Sequence, residues 1–208
     1  MSRAGSLRTT LLIATTNAGK MKEIEGILKG VPLKLLSLAD IAAIDEPEET
    51  GSTFAENARL KALYYHHATG LAAVADDSGL EIDALGGAPG VHSARWECSD
   101  YAVKFQKIYE RLEQKDARRS PARFVCRLAL ADQGGIEFES EGVFEGTIAD
   151  EPRGEHGFGY DPIFFYPPLG CTTAQLIDAD KAMVSHRARA FRDLRRWLFI
   201  HLQGDTTY

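Results

Sequence analysis

Short apolar runs and amphipathic stretches alternate through the first third of the chain, and this alternation limits the fold more than any other feature. Leu11–Ala14 reads as a buried first strand, and Lys20–Leu28, apolar at Met21, Ile24, Ile27 and Leu28, as an amphipathic helix. Leu33–Leu38 reads as a second strand. Thr53-Phe54-Ala55-Glu56 is a capping box that opens a helix carrying Ala58, Leu60, Ala62, Leu63 and Tyr65. Leu71–Ala75 reads as the next buried strand and Leu80–Leu85 as another, partly exposed. Further on, Tyr101–Leu112 reads as a helix, and Phe124–Ala131 with Ile136–Phe144 as a hairpin around Asp132-Gln133-Gly134-Gly135. A last helix opens near Ser185, its expected N-cap, with Ala188, Phe191, Leu194, Trp197 and Leu198 on its buried side. The pattern predicts an α/β fold with a mixed sheet, helices on both faces, and a cleft between the sheet and the hairpin region.

The 208 residues suffice for one compact unit of one or two lobes, and no repeat, low-complexity tract or long linker forces a domain cut. A formal net charge of −6 argues against a nucleic-acid polymer as partner while leaving room for a small anion in a local basic pocket. Cys98, Cys126 and Cys171 are odd in number, widely spaced and without a CxxC, so free thiols in a reducing compartment are expected. The apolar run Leu11–Ala14 is too short for a signal-peptide core or a membrane span, which makes the cytoplasm the expected location and a membrane an unexpected partner.

Four polar segments carry candidate chemistry. ATTNAGK (14–20) joins the first strand to the first helix, where backbone N–H groups and the positive helix end favour an anion and Lys20 adds a full charge. It is not a P-loop: Ala14 replaces the first glycine and Met21 the magnesium-holding Ser/Thr, so an ordinary strand–helix turn is the rival reading. Asp76-Asp77 follows the apolar run 71–75 directly, which puts two adjacent carboxylates at an expected strand exit beside Ser78-Gly79. With Glu48-Glu49 they offer oxygen ligands suited to a divalent cation, the rival being an Asx-type turn. In GFGYDPIFFYP (157–167), Gly157, Gly159 and Asp161 bracket Phe158 and Tyr160, a flexible backbone between two rings that suits a flat heterocycle. Lys181, His186 and Arg187, with the cap residue Ser185 between them, place three nitrogen-donor side chains within seven residues. Arg187, Arg189, Arg192, Arg195 and Arg196 otherwise read mostly as a solvated helical face rather than a nucleic-acid patch. No histidine has a zinc-like spacing.

Taken together, TTNAGK (15–20), EETGSTFAENARLKA (48–62), ADDSGLEIDALGGAPGVHSARW (75–96), GFGYDPIF (157–164) and DKAMVSHRARA (180–190) resemble the inosine/xanthosine triphosphate pyrophosphatase family. The resemblance runs from about residue 9 to 200, with residues 1–8 as a short N-terminal extension of a single domain spanning 1–208. It implies an elongated α/β fold with two lobes around a nucleotide cleft, a homodimer, and magnesium-dependent hydrolysis of ITP, dITP and XTP to the monophosphate and pyrophosphate. Carried over by residue, it assigns Thr15, Thr16, Asn17, Ala18, Gly19 and Lys20 to the triphosphate, with the Ser78 hydroxyl in support. Glu48 and Asp77 are assigned to magnesium, Asp77 also as proton acceptor. Phe158, Gly159, Tyr160, Asp161, Lys181, His186 and Arg187 are assigned to the base and sugar. Ala182 and Met183 depart from the commoner residues after the lysine.

Inosine and xanthosine present a C6 carbonyl where adenine presents an amino group, so donors from Arg187, His186 or loop N–H groups would select the former. A non-catalytic nucleotide-binding module and an RNA-associated protein are the alternatives from other classes. Phe124, Val125, Leu128, Leu130, Ile136 and Phe138 give the hairpin more apolar surface than one face needs, which makes it the expected dimer interface.

Overall fold

A computed structural model describes residues 9–204. The elements, in chain order, are β1 (Thr10–Ile13), α1 (Ala18–Leu28), β2 (Lys34–Ser37), α2 (Phe54–Thr69), β3 (Ala72–Ile82), α3 (Tyr101–Glu113), β4 (Pro121–Asp132), β5 (Gly135–Ile148), β6 (Phe164–Tyr166), β7 (Cys171–Thr172), α4 (Asp178–Val184) and α5 (His186–Gly204). The sheet order is β2-β1-β3-β4-β5-β6-β7. β1 runs parallel to β2 and β3, with Leu12 opposite Leu36 and Ala73, whereas β6 runs antiparallel to β5 and β7. The sheet is therefore mixed, as expected, and the fold is α/β.

The described residues divide into two compact units, one of residues 9–77, 126–142 and 187–204, the other of 78–125 and 143–186. In the first, side-chain alternation along β1 and β3 builds a core on each sheet face. Leu11, Ile13, Ala72 and Val74 meet Ile24 and Leu28 of α1 and Phe191, Leu194 and Leu198 of α5. Leu12, Ala14, Ala73 and Ala75 meet Ala58, Ala62 and Tyr65 of α2. The small residues on that second face let α2 lie close to the sheet. The second unit has one core, rich in aromatics: Phe124, Phe144, Tyr160 and Phe164 around Leu80, Ile82, Ile108 and Leu112.

Helix ends follow local chemistry. Asn17 caps α1 by accepting from the Lys20 N–H, so the helix starts two residues before the expected Lys20. The Thr53/Glu56 capping box opens α2, and Gly70 closes it in the left-handed conformation at φ 69°.

Three expectations change. The separate strands expected at 71–75 and 80–85 merge into one strand, β3, because Asp76, Asp77 and Ser78 continue its extended backbone instead of turning; β3 ends at Ile82, and Asp83–Leu85 form a 3-10 turn. The two aspartates therefore lie mid-strand, and the Asx turn drops out with the strand exit. The short helix α4 was not foreseen, since seven residues are too few for a helical period to stand out. The hairpin's apolar side chains go into this chain's own cores: Phe124, Val125, Leu128 and Leu130 are buried, and Ile136 and Phe138 pack against the core clusters. Its apolar surplus is thus no argument for a dimer. The N-terminal extension at 1–8 lies outside the described residues.

Candidate active site

The continuity of β3 decides what its two aspartates do. Successive strand residues point to opposite faces, so Asp76 and Asp77 cannot share one cation as a side-by-side pair. Asp76 follows Ala72 and Val74 onto the face covered by α1 and α5, and Asp77 follows Ala73 and Ala75 onto the face covered by α2. Their contacts obey that division. Asp76 Oδ2 accepts from Lys20 Nζ of α1 at 2.9 Å, lies 3.5 Å from Arg187 Nε of α5, and receives the Cys126 thiol at 3.9 Å. Asp77 instead accepts from Asn57 Nδ2 at 3.1 Å and from Lys61 Nζ at 3.2 Å, both on α2.

The two carboxylates differ electrostatically as a result. Burial pushes the Asp76 carboxyl upward, but Lys20, Arg187 and Lys61 outweigh it and hold the group far below the usual carboxylate range. At Asp77 burial wins: Lys61 and Asn57 pull downward, Glu49 adds repulsion, and the carboxyl sits above its ordinary value. Lys61 is itself pressed downward by burial and raised by Asp77, Asp76 and Glu49, and the second effect prevails.

Around these groups the first unit places the other expected phosphate-side residues. Thr15 to Asn17 connect β1 to α1, and Ala18, Gly19 and Lys20 form the first helical turn. Asn17 N–H donates to Thr15 Oγ1 at 3.2 Å, and Thr16 Oγ1 donates to Glu46 at 3.1 Å. A lysine in the first turn of a helix opposes the helix dipole, and α1 carries no acidic residue there. The acid that balances it is Asp76, from the sheet. Glu48 is exposed, whereas Glu49 is half-buried and accepts from Lys61 at 2.8 Å. The lysine ammonium thus stands between Glu49 and Asp77, and the carboxylate that joins Asp77 is Glu49 rather than the Glu48 of the resemblance.

Arg187 departs most from expectation. The other arginines of the last helix that were read as a solvated face include the exposed Arg189, Arg192 and Arg196, but Arg187 is 1% exposed. Its Nη1 donates to Glu23 Oε2 at 2.6 Å while Nε faces Asp76.

The second unit holds the remaining residues. Asp161, buried, is a hub: Oδ2 accepts from the Phe158 N–H at 2.8 Å and from Lys181 Nζ at 2.5 Å, and Oδ1 accepts from Thr173 Oγ1 at 2.9 Å. Lys181 Nζ also lies 4.8 Å from the centroid of the Phe158 ring. Gly157 has φ 76°, and a Cβ there would press into the Asp161 carboxylate and the Lys181 ammonium, so the loop needs glycine twice over. Gly159 is likewise left-handed, at φ 67°. Of the two aromatics expected as a platform, only Phe158 is open, at 37% exposure. Tyr160 is buried edge-on against Tyr101, and its hydroxyl donates to Ser93 O at 2.8 Å, so it supports the loop from beneath. His186 stacks on Phe124 with centroids 4.9 Å apart and planes 14° from parallel. Ser78, half-buried on β3, opens the unit's sequence.

Sequence reasoning missed Glu23, Asn57, Lys61, Cys126 and Thr173. The signal for Asn57 and Lys61 was their i,i+4 spacing, which puts both on one face of α2. Nothing local marked Cys126 or Thr173, whose partners are far away in the chain.

The Ham1 family model matches residues 11–197, across both units. The dITP/XTP pyrophosphatase of Exiguobacterium sp. (strain ATCC BAA-1283 / AT1b) is 47% identical over 197 residues, 93% of this chain and 99% of the relative. That of Bacillus subtilis (strain 168) is 45% identical over 189 residues, 90% and 96% of the two chains. Among solved structures, a HAM1 protein from Coxiella burnetii superposes with a TM-score of 0.85 at 40% identity, covering 92% of this chain and 99% of its own. The Staphylococcus aureus Ham1 protein gives 0.83 at 35% identity, covering 95% and 100%. With a family model spanning both units and relatives alike over nearly their whole length, this chain belongs to the Ham1 family.

Proposed function

We propose that the chain hydrolyses deaminated purine nucleoside triphosphates, dITP, XTP and ITP, to the nucleoside monophosphate and pyrophosphate. Relatives that bear the name dITP/XTP pyrophosphatase support the activity. The observation that carries the chemistry is Asp77: a buried carboxylate fixed by Asn57 and Lys61 on a rigid strand. A carboxylate fixed in this way is suited to orient attacking water, directly or from the shell of a metal ion. Lys20 and Lys61 supply positive charge where phosphate oxygens and the leaving pyrophosphate need it. The first-turn N–H groups of α1 add the helix dipole.

The acidic pair around Lys61 fits magnesium, which takes one or two protein carboxylates and fills its shell with water and phosphate oxygens. Among the described residues no three His, Cys, Asp or Glu side chains gather into a ready-made cage. Asp77 and Glu49, with Glu48 beside it, would hold the ion, and when bound it would neutralise phosphate charge and lower the pKa of coordinated water. In the second unit, Phe158 offers a ring face, and His186 and loop N–H groups offer donors for the C6 oxygen of hypoxanthine or xanthine; Arg187, buried against Glu23 and Asp76, is not among them. Adenine would meet those donors with an amino group, and each buried donor left unpaired costs about 1–3 kcal/mol.

Phosphate release from ITP, read with malachite green in the presence of inorganic pyrophosphatase, tests this reading. Signal that requires the added pyrophosphatase identifies pyrophosphate as the product. No signal under either condition overturns the reading and favours a binding module. A homodimer is proposed from family resemblance, and sedimentation showing a stable monomer at micromolar concentration would refute it. The three cysteines are free thiols, which supports a reducing, cytoplasmic setting; among the described residues no helix is long and apolar enough to cross a membrane.

A further inference from the structure

Asp76 is a buried carboxylate for which the proposed chemistry has no use. It lies on the opposite sheet face from Asp77, and its Oδ2 faces Lys20, Arg187 and Cys126. Its side chain is 2% exposed and that of Lys20 is 18% exposed, so the pair is shut in at one end and open at the other. Lys20 occupies the first turn of α1, where the helix dipole repels a cation and the backbone offers it no acceptor. A lysine on four flexible methylenes in that position would turn to solvent unless something fixed its head. Asp76 is the fixed point: it sits within an eleven-residue strand and is held from its other side by Arg187, whose Nη1 is anchored on Glu23 of the same helix as Lys20. The four groups alternate in sign, Lys20, Asp76, Arg187 and Glu23, and their formal charges cancel.

We infer that Asp76 is a positioning residue: it neither binds metal nor takes a proton, but holds the Lys20 ammonium at the mouth of the phosphate loop. An ammonium has three N–H donors, and the one given to Asp76 leaves two for phosphate oxygens. Because Asp76 is itself an anion, its removal does not weaken the attraction for triphosphate; it loosens the direction in which Lys20 points. A cation that must be found anew in each turnover helps the departing pyrophosphate less, and a displacement of about 1 Å can cost on the order of 100-fold. The inference rests on the pyrophosphatase reading, and wild-type turnover of ITP tests that reading separately.

The experiment is a double-mutant cycle on ITP hydrolysis with Asp76→Asn, Lys20→Met and the pair together, the melting temperature of each being recorded. Asp76→Asn is expected to lower kcat by about 10- to 100-fold without raising KM. In the Lys20→Met background the same change is expected to cost less than about threefold, because its effect runs through Lys20. Asp76→Glu keeps the charge and shifts the carboxylate by one methylene. It is expected to melt near wild type yet lose kcat by about 10-fold or more, and it serves as the second variant if Asp76→Asn does not fold. Full activity in a folded Asp76→Glu or Asp76→Asn overturns the inference. So does a cycle in which the two losses simply multiply, or a loss that appears only in KM.

Discussion

Asp77 in the first unit and Asp161 in the second are both buried carboxylates with a lysine partner, yet they are built in opposite ways. Asp161 accepts from a backbone N–H, a threonine hydroxyl and the Lys181 ammonium, so both oxygens are in use. Asp77 has an amide donor and a lysine shared with Glu49, and burial together with that second carboxylate leaves its charge under-compensated. Asp161 is a structural tie in a glycine loop. Asp77 is a charge held in waiting on a rigid strand. The first unit fixes its site groups by secondary-structure periodicity, the second by a loop folded around one anion.

The sharpest way to break this contrast is the same substitution in both units. Asp77→Asn is expected to lower kcat on ITP by at least about 100-fold, since an amide neither takes a proton nor holds magnesium well. A variant that keeps more than about a tenth of wild-type rate removes Asp77 from the mechanism. Chelation with EDTA is expected to abolish turnover to a similar degree and magnesium to restore it; full activity in EDTA would take the metal out of the account. Asp161→Asn is expected instead to act on stability, by about 3 kcal/mol, because it leaves Lys181 buried without its anion. Thermal melting measures this, and a melt within a degree of wild type would show that the loop does not depend on its anion.

A milder probe of the second unit is Gly157→Ala. At φ 76° an alanine is strained, and its methyl would press on the Asp161–Lys181 pair. KM for ITP is expected to rise by about 10-fold with kcat changed little, as fits a loop that binds rather than reacts. An equal loss in kcat would move this loop into the chemical step.

Much of this contrast was legible in the sequence, and the parts that were not have physical causes. The strand–helix order, the Thr53 capping box and the hairpin were visible because period and cap chemistry are local. The unbroken β3 was not, because Asp76-Asp77-Ser78-Gly79 is turn-like in composition and becomes strand only when Lys20 and Arg187 on one face and Asn57 and Lys61 on the other receive its carboxylates. Glu23, Cys126 and Thr173 join these clusters only through partners distant in sequence. The burial of Tyr160 was hidden for the same reason: its ring meets Tyr101 and its hydroxyl meets Ser93, neither near it in the chain.

The smallest expected effect is also the one that best separates the two aspartates. The folded-state pKa of Asp77 lies above its unfolded value, owing to burial and Glu49. A group raised in this way contributes stability that is fully present below the unfolded pKa and is lost as pH rises through the folded one. At neutral pH, with no metal, the Asp77 carboxylate therefore costs stability, and an asparagine that can still accept from Asn57 does not carry that cost. Asp77→Asn is expected to melt above wild type in EDTA at pH 7.5, by a few degrees at most, where about 1 kcal/mol corresponds to 2–4 °C for a chain of this size. The gap is expected to close as pH falls toward the carboxylate range, where folded wild type takes up its proton. Magnesium should stabilise wild type and not the variant, since a ligand raises the melting point only of the form that binds it. A variant that melts below wild type at pH 7.5 in EDTA would mean that Lys61 and Asn57 fully compensate Asp77, and the distinction between a tie and a waiting charge would fail.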